Sequence, residues 1–144
     1  WYNFEGRSYE QPRSRYNPQA HLDLCELLTN YGSTRFQGGL NLAANLLGKP
    51  GKMDVQGCMV QDMYEAGRLD EINDYCRCDV LDTYFVFLRS QVLLGRLPLE
   101  EEQTIIAETK QWIVERADQT PAYRCYLDHW GDWPNPWNAP SVGE

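Results

Sequence analysis

Long hydrophobic runs are missing from this chain of 144 residues. No stretch approaches the ~18 consecutive apolar residues of a membrane span, and no basic segment followed by an apolar core marks the N-terminus as a secretory signal. No membrane partner is therefore expected. Basic residues are also scarce, 13 Lys and Arg against 21 Asp and Glu, for a net charge of −8. That balance argues against an extended footprint on duplex nucleic acid, whose non-specific affinity comes mostly from phosphates neutralised by Lys and Arg. It does not argue against an enzyme gripping a few nucleotides at a strand end, where a local basic rim and a bound cation supply positive charge. Histidines number two, His21 and His129, too isolated to give Cys76-x-Cys78 the second ligand pair of a tetrahedral zinc site. The five cysteines are odd in number and scattered through helix-like segments, which excludes a regular disulfide framework and points to a reduced, intracellular, cytoplasmic location. Walker loop, glycine-rich dinucleotide fingerprint, heptads and internal repeats are all lacking. So is an initiating Met, which suggests a fragment, a trimmed chain or an upstream segment.

What is present suffices for one domain with a core: 42% of residues are hydrophobic. Residues 1–20, polar and interrupted by Pro12 and Pro18, read as an irregular lead-in. His21-Leu22-Asp23-Leu24 has the alternation of a strand end, and a short helix from Cys25 to Tyr31 is stopped by Gly32. A helix over Leu40–Leu47 ends at Gly48, and another over Val55–Ala66 ends at Gly67. Leu69, Ile72, Cys76, Val80, Thr83, Phe87 and Leu94 recur at 3-and-4 spacing, which predicts a helix over 69–94 with Ile72, Cys76, Val80 and Phe87 buried. Pro98 and the acidic run Glu100-Glu101-Glu102 open a further helix that fades near Ala117. Residues 21–129 form the body of the domain, and the Trp- and Pro-rich tail 130–144 reads as loop. The fold class is mostly α.

The segment Asp74-Tyr75-Cys76-Arg77-Cys78-Asp79-Val80 carries the one pattern with chemistry attached. On a helix, Tyr75 and Asp79 stand one turn apart with Cβ atoms roughly 5–6 Å from each other, so both can reach one metal-bound water. A carboxylate that holds a divalent cation and a phenol that orients water suit metal-assisted phosphodiester hydrolysis. The bland alternative is a solvated aspartate beside a half-buried tyrosine. Cys76 and Cys78, about 200° apart on a helix, cannot share a ligand.

Four segments together resemble a known family: His21-Leu22-Asp23-Leu24, Leu46-Leu47-Gly48-Lys49-Pro50-Gly51-Lys52-Met53, Ala66-Gly67-Arg68-Leu69-Asp70-Glu71-Ile72, and Tyr75-Cys76-Arg77-Cys78-Asp79-Val80-Leu81-Asp82-Thr83-Tyr84. In order and spacing they are similar to the predicted 3′-to-5′ exonucleases related to the proofreading domain of family-B DNA polymerases, in the DnaQ-like, ribonuclease-H-like superfamily. The resemblance covers residues 16–97. It implies that Tyr75-x-x-x-Asp79 is the third exonuclease motif, with Asp79 a ligand of a two-metal Mg²⁺ or Mn²⁺ centre and Tyr75 bonded to the attacking water. It further implies a nucleic-acid 3′ end as substrate, single-stranded DNA or RNA. The family's first motif, Asp-x-Glu, and its second, Asn followed by an aromatic-Asp pair, do not appear in Trp1–Ala20. On that ground the chain reads as the C-terminal helical part of an α/β ribonuclease-H-like fold, inactive without the upstream half of the same domain.

Other residues admit two readings each. Asp23 caps the following helix or stands in for a second-motif ligand. Lys49 and Lys52 bind a substrate phosphate or are solvated lysines at a helix end. Asp82 is a competing ligand or solvated helix surface, and His21 a general base or a structural residue. The tail tryptophans stack on bases, or pack against an upstream half, or are disordered. The competing function is a non-catalytic helical module that binds nucleic acid or a protein partner.

Overall fold

In the computed structural model, which describes residues 21–52 and 57–134, Asp23 has extended backbone and its carboxylate accepts the Glu26 N–H at 3.0 Å. It is a helix cap. Helix α1 (Leu24–Leu28) follows directly, so the alternation at residues 21–24 belongs to no strand. The helix also stops earlier than Gly32 suggested. Thr29 turns its hydroxyl back to the Cys25 carbonyl at 2.7 Å, and Asn30 and Tyr31 adopt left-handed backbone with φ of 47° and 55°. The chain divides into two compact units between Gln37 and Gly38. All that follows concerns the second unit.

That unit comprises α2 (Gly39–Leu46), a 3₁₀ turn (Gly57–Met59), α3 (Val60–Glu65), α4 (Leu69–Leu93), α5 (Leu99–Val114) and α6 (Pro121–Asp128). The start of the helix expected at Val55 lies outside the described residues. Helix α6 was not expected; extended Thr120 followed by Pro121 in the first helical turn is the local signal that announces it. Among the described residues there is no strand, and none of their helices is long and apolar enough to cross a membrane.

Helix α4 is the spine, packed against α2, α3, α5 and α6. Its core face is Cys78, Leu81, Phe85 and Leu88, which meet Ile113 of α5 and Ala122 and Tyr126 of α6. Burying side chains the size of Phe85 and Ile113 contributes roughly 1.5–3 kcal/mol each. The expected buried stripe is therefore wrong: Val80 is 66% and Phe87 38% exposed, Cys76 is exposed, and Ile72 is half-buried. Two facts misled the periodicity. Tyr84-Phe85-Val86-Phe87-Leu88 is apolar on every face, and the true core face carries the polar residues Asp82 and Ser90.

Asp82 tolerates burial because Tyr126 donates its hydroxyl to the carboxylate at 2.7 Å, which corrects its reading as solvated surface. A second buried carboxylate, Glu102, leaves the acidic first turn of α5 to accept two hydrogen bonds from Arg89 of α4, at 2.7 and 2.9 Å. The segment after α6 is pinned as well. Gly131 N–H donates to the Gly48 carbonyl at 2.8 Å, a backbone crossing so close that a Cβ on Gly48 would stand 2.8 Å from the Gly131 oxygen. This seats Trp130 edge-on against Phe85 and Tyr126, with centroids at 5.2 and 6.0 Å. Trp130 thus packs into this unit's own core; Trp137 lies outside the described residues.

Candidate functional site

Tyr75, Asp79 and Asp82 follow one another at i, i+4 and i+7 along α4, and so share a side of the helix. Opposite them lies the turn after α2. Gly51, with φ of 68°, passes so near α2 that a Cβ would stand 2.4 Å from Asn41 Oδ1, and the next amide, Lys52 N–H, donates to that same oxygen at 2.7 Å. No side chain but hydrogen fits at residue 51. The turn is thereby held against α4, with Lys52 exposed at its tip.

Two recesses of about 280 and 270 Å³ result, and both are lined by Lys52, Tyr75 and Asp79. The larger runs past Cys78 toward Ala122 of α6, and the smaller past Asn41 to Asp82. Hydrogen bonding to Asp79, then burial, push the Tyr75 phenol up to about 12. The phenol therefore keeps its proton at neutral pH and can donate a hydrogen bond. Its oxygen also faces the 3₁₀ turn, 3.9 Å from where a Gly57 Cβ would be. Burial raises the Asp82 carboxyl above the usual range, opposed by the Tyr126 hydroxyl and the Gly51 amide.

Of the sequence-derived site residues, the structure brings together Tyr75, Asp79 and Lys52. Lys49 goes elsewhere. It is 5% exposed, its Nζ 3.2 Å from the Leu47 carbonyl and 4.0 Å from the Trp130 ring centroid, so it is no solvated lysine. Asp74 is ion-paired to Arg77 at 2.5 Å. None of the five cysteines is in a disulfide; Cys76 is exposed, and Cys78 is buried and pushed up to about 12 by that burial.

Residues 1–130 match the family of predicted 3′-5′ exonucleases related to the exonuclease domain of PolB. The chain belongs to that family. The match reaches beyond the segments that carried the sequence resemblance, and includes α5 and α6. No curated protein and no solved structure matches this exonuclease-related domain. Among its described residues no group of three His, Cys, Asp or Glu side chains is arranged to hold a metal ion. The Asp79 carboxylate interacts with Tyr75 and that of Asp82 with Tyr126.

Sequence reasoning missed Asp82–Tyr126 and Arg89–Glu102. A charged residue inside an apolar frame, as at Asp82, is the one local signal for such pairs, and it names no partner.

Proposed function

We propose that this domain belongs to a 3′-5′ exonuclease that hydrolyses phosphodiester bonds at single-stranded ends, with DNA the first substrate to test and RNA the second, in a reducing intracellular compartment. The observation that carries the reading is the protonated Tyr75 phenol held at Asp79, in a recess rimmed by Lys52. Asp79 is the residue here that would hold a divalent cation, Mg²⁺ or Mn²⁺, with the remaining carboxylates supplied from outside the described residues. Such cations activate the attacking water and stabilise the leaving oxygen. The chain's own residues divide the remaining work. Lys52, on a turn fixed by Asn41, offers a cation to a backbone phosphate of the strand. Tyr75, a neutral donor across the working pH range, orients an oxygen lone pair beside Asp79.

The test is degradation of 3′- and 5′-labelled single strands with Mg²⁺ or Mn²⁺ by the protein expressed from its complete reading frame. Asp79→Asn is expected to remove most of the rate, about 10²–10³-fold, as when one electrostatic partner of a transition state is lost. Tyr75→Phe is expected to cost ~10²-fold with cation affinity unchanged, and no rate break from Tyr75 ionisation should occur below pH 10. A protein that degrades neither strand, or an Asp79→Asn variant as fast as the parent, would replace this reading with the non-catalytic binding module.

A further inference from the structure

A third recess, of about 340 Å³, shares no residue with the two at Tyr75 and Asp79. Its lining is aromatic and carries three cations against two carboxylates, Glu102 and Asp132. Lys49, Arg89 and Lys110 line it with Trp130 and Trp133. The Lys49 and Lys110 ammonium groups stand 4.0 and 5.0 Å from the centroid of the Trp130 ring. The Arg89 guanidinium lies 3.8 Å from that of Trp133 while its N–H groups are fixed on Glu102.

The donors are not spent. An ammonium carries three N–H groups; Lys49 gives one to Leu47, and among the described residues neither lysine is salt-bridged to a carboxylate. Glu102 is held by Arg89, and Asp132 acts on Lys49 only through space. Two like charges therefore converge on one ring with N–H donors to spare, while the Glu102 and Asp132 carboxylates also line the recess without being salt-bridged to either lysine. The recess has room for about ten waters at ~30 Å³ each, far more than a bare inorganic anion fills, and it falls within the size range of small-ligand sites.

We propose that this recess binds a small phosphate monoester, its dianion between Lys49 and Lys110 and its organic part against the tryptophans. A charge of −2 answers two ammonium groups, and charge-assisted hydrogen bonds to phosphate are the strong kind. Burial and Lys110 lower Lys49 to about 8. Affinity should therefore fall as pH rises through that value, with Lys110 and Arg89 of one sign and Asp132 and Glu102 of the other facing the same ammonium. The site is independent of the exonuclease reading, and its test involves no cleavage.

The experiment is calorimetric titration of the folded protein, with indole fluorescence as a second readout, using adenosine 5′-monophosphate, adenosine, inorganic phosphate and an oligothymidylate with and without a 5′-phosphate. The monophosphate should bind at least tenfold more tightly than adenosine or inorganic phosphate. Lys110→Gln, at a half-buried position, should weaken it about tenfold, and Lys110→Arg should restore it. Displacement of the mononucleotide by the phosphorylated strand alone would identify a strand terminus as the source of the ester, and failure of both strands to compete would identify a free nucleotide. Adenosine binding as tightly as its monophosphate, an unchanged affinity in Lys110→Gln with the fold confirmed by circular dichroism, or no heat with any ester at millimolar concentration would overturn the assignment.

Discussion

Lys49 shows how far a single side chain can depart from what its neighbours in sequence announce. Flanked by Gly48 and Pro50 at a helix end, it has the local context of a solvated residue, yet it lies beneath Trp130, eighty-one positions away. Its ammonium is lowered from 10.5 to about 8, chiefly by burial. Below pH 8 the folded chain carries this charge at a cost of roughly 3 kcal/mol relative to the unfolded chain. Between about 8 and 10.5 the unfolded chain binds more proton than the folded one, so the cost is relieved as pH rises. Lys49→Met, similar in length and uncharged, is therefore expected to stabilise the protein by about 1–3 kcal/mol at pH 7. The gap between variant and parent should close by pH 10, as read from urea unfolding at each pH. By contrast Tyr75 and Asp79 were legible in the sequence, because their relation is set by one turn of helix and by nothing distant. Asp82 was not, since its partner Tyr126 is forty-four residues away.

Among the elements, α4 was placed within one residue of its expected ends, between Gly67 and Gly95, while its orientation was misread. Boundaries are local, whereas the choice of face is made by what α5 and α6 present to the helix, and α6 was not anticipated. Substitutions separate the two stripes. Phe85→Ala should cost about 3–5 kcal/mol, the range for emptying a packed aromatic site. Val80→Thr, on the stripe the spacing favoured, should stay within ~0.5 kcal/mol. Equal losses at both positions in urea titrations would mean that the exposed stripe is covered in solution. The α4–α5 seam offers a further measurement. Glu102→Gln leaves the Arg89 guanidinium without its carboxylate and should destabilise by about 3–5 kcal/mol, the usual result of breaking a buried pair on one side.

At the scale of the whole molecule, an excess of eight negative charges coexists with a few confined cations. Lys52 is the exposed one at the Tyr75–Asp79 recesses. If strand binding relies on it, the logarithm of the association constant should fall with the logarithm of salt at a slope near −1 rather than −6, since each phosphate contact on a single strand contributes about −0.7. Fluorescence anisotropy across a range of salt concentrations measures this, and a steep slope would reveal a basic surface supplied by other parts of the polypeptide. The crossing of Gly48 and Gly131 has a kinetic side. The amide hydrogen bond there closes a loop of more than eighty residues, from the end of α2 to the segment after α6. The Gly131 proton exchanges with deuterium when that hydrogen bond opens, and Trp130, the preceding residue, is expected to loosen with it. The deuteration rate of this single glycine is thus a clock for opening at the Lys49 recess, whose lining includes Gly131, and a bound ester should slow it.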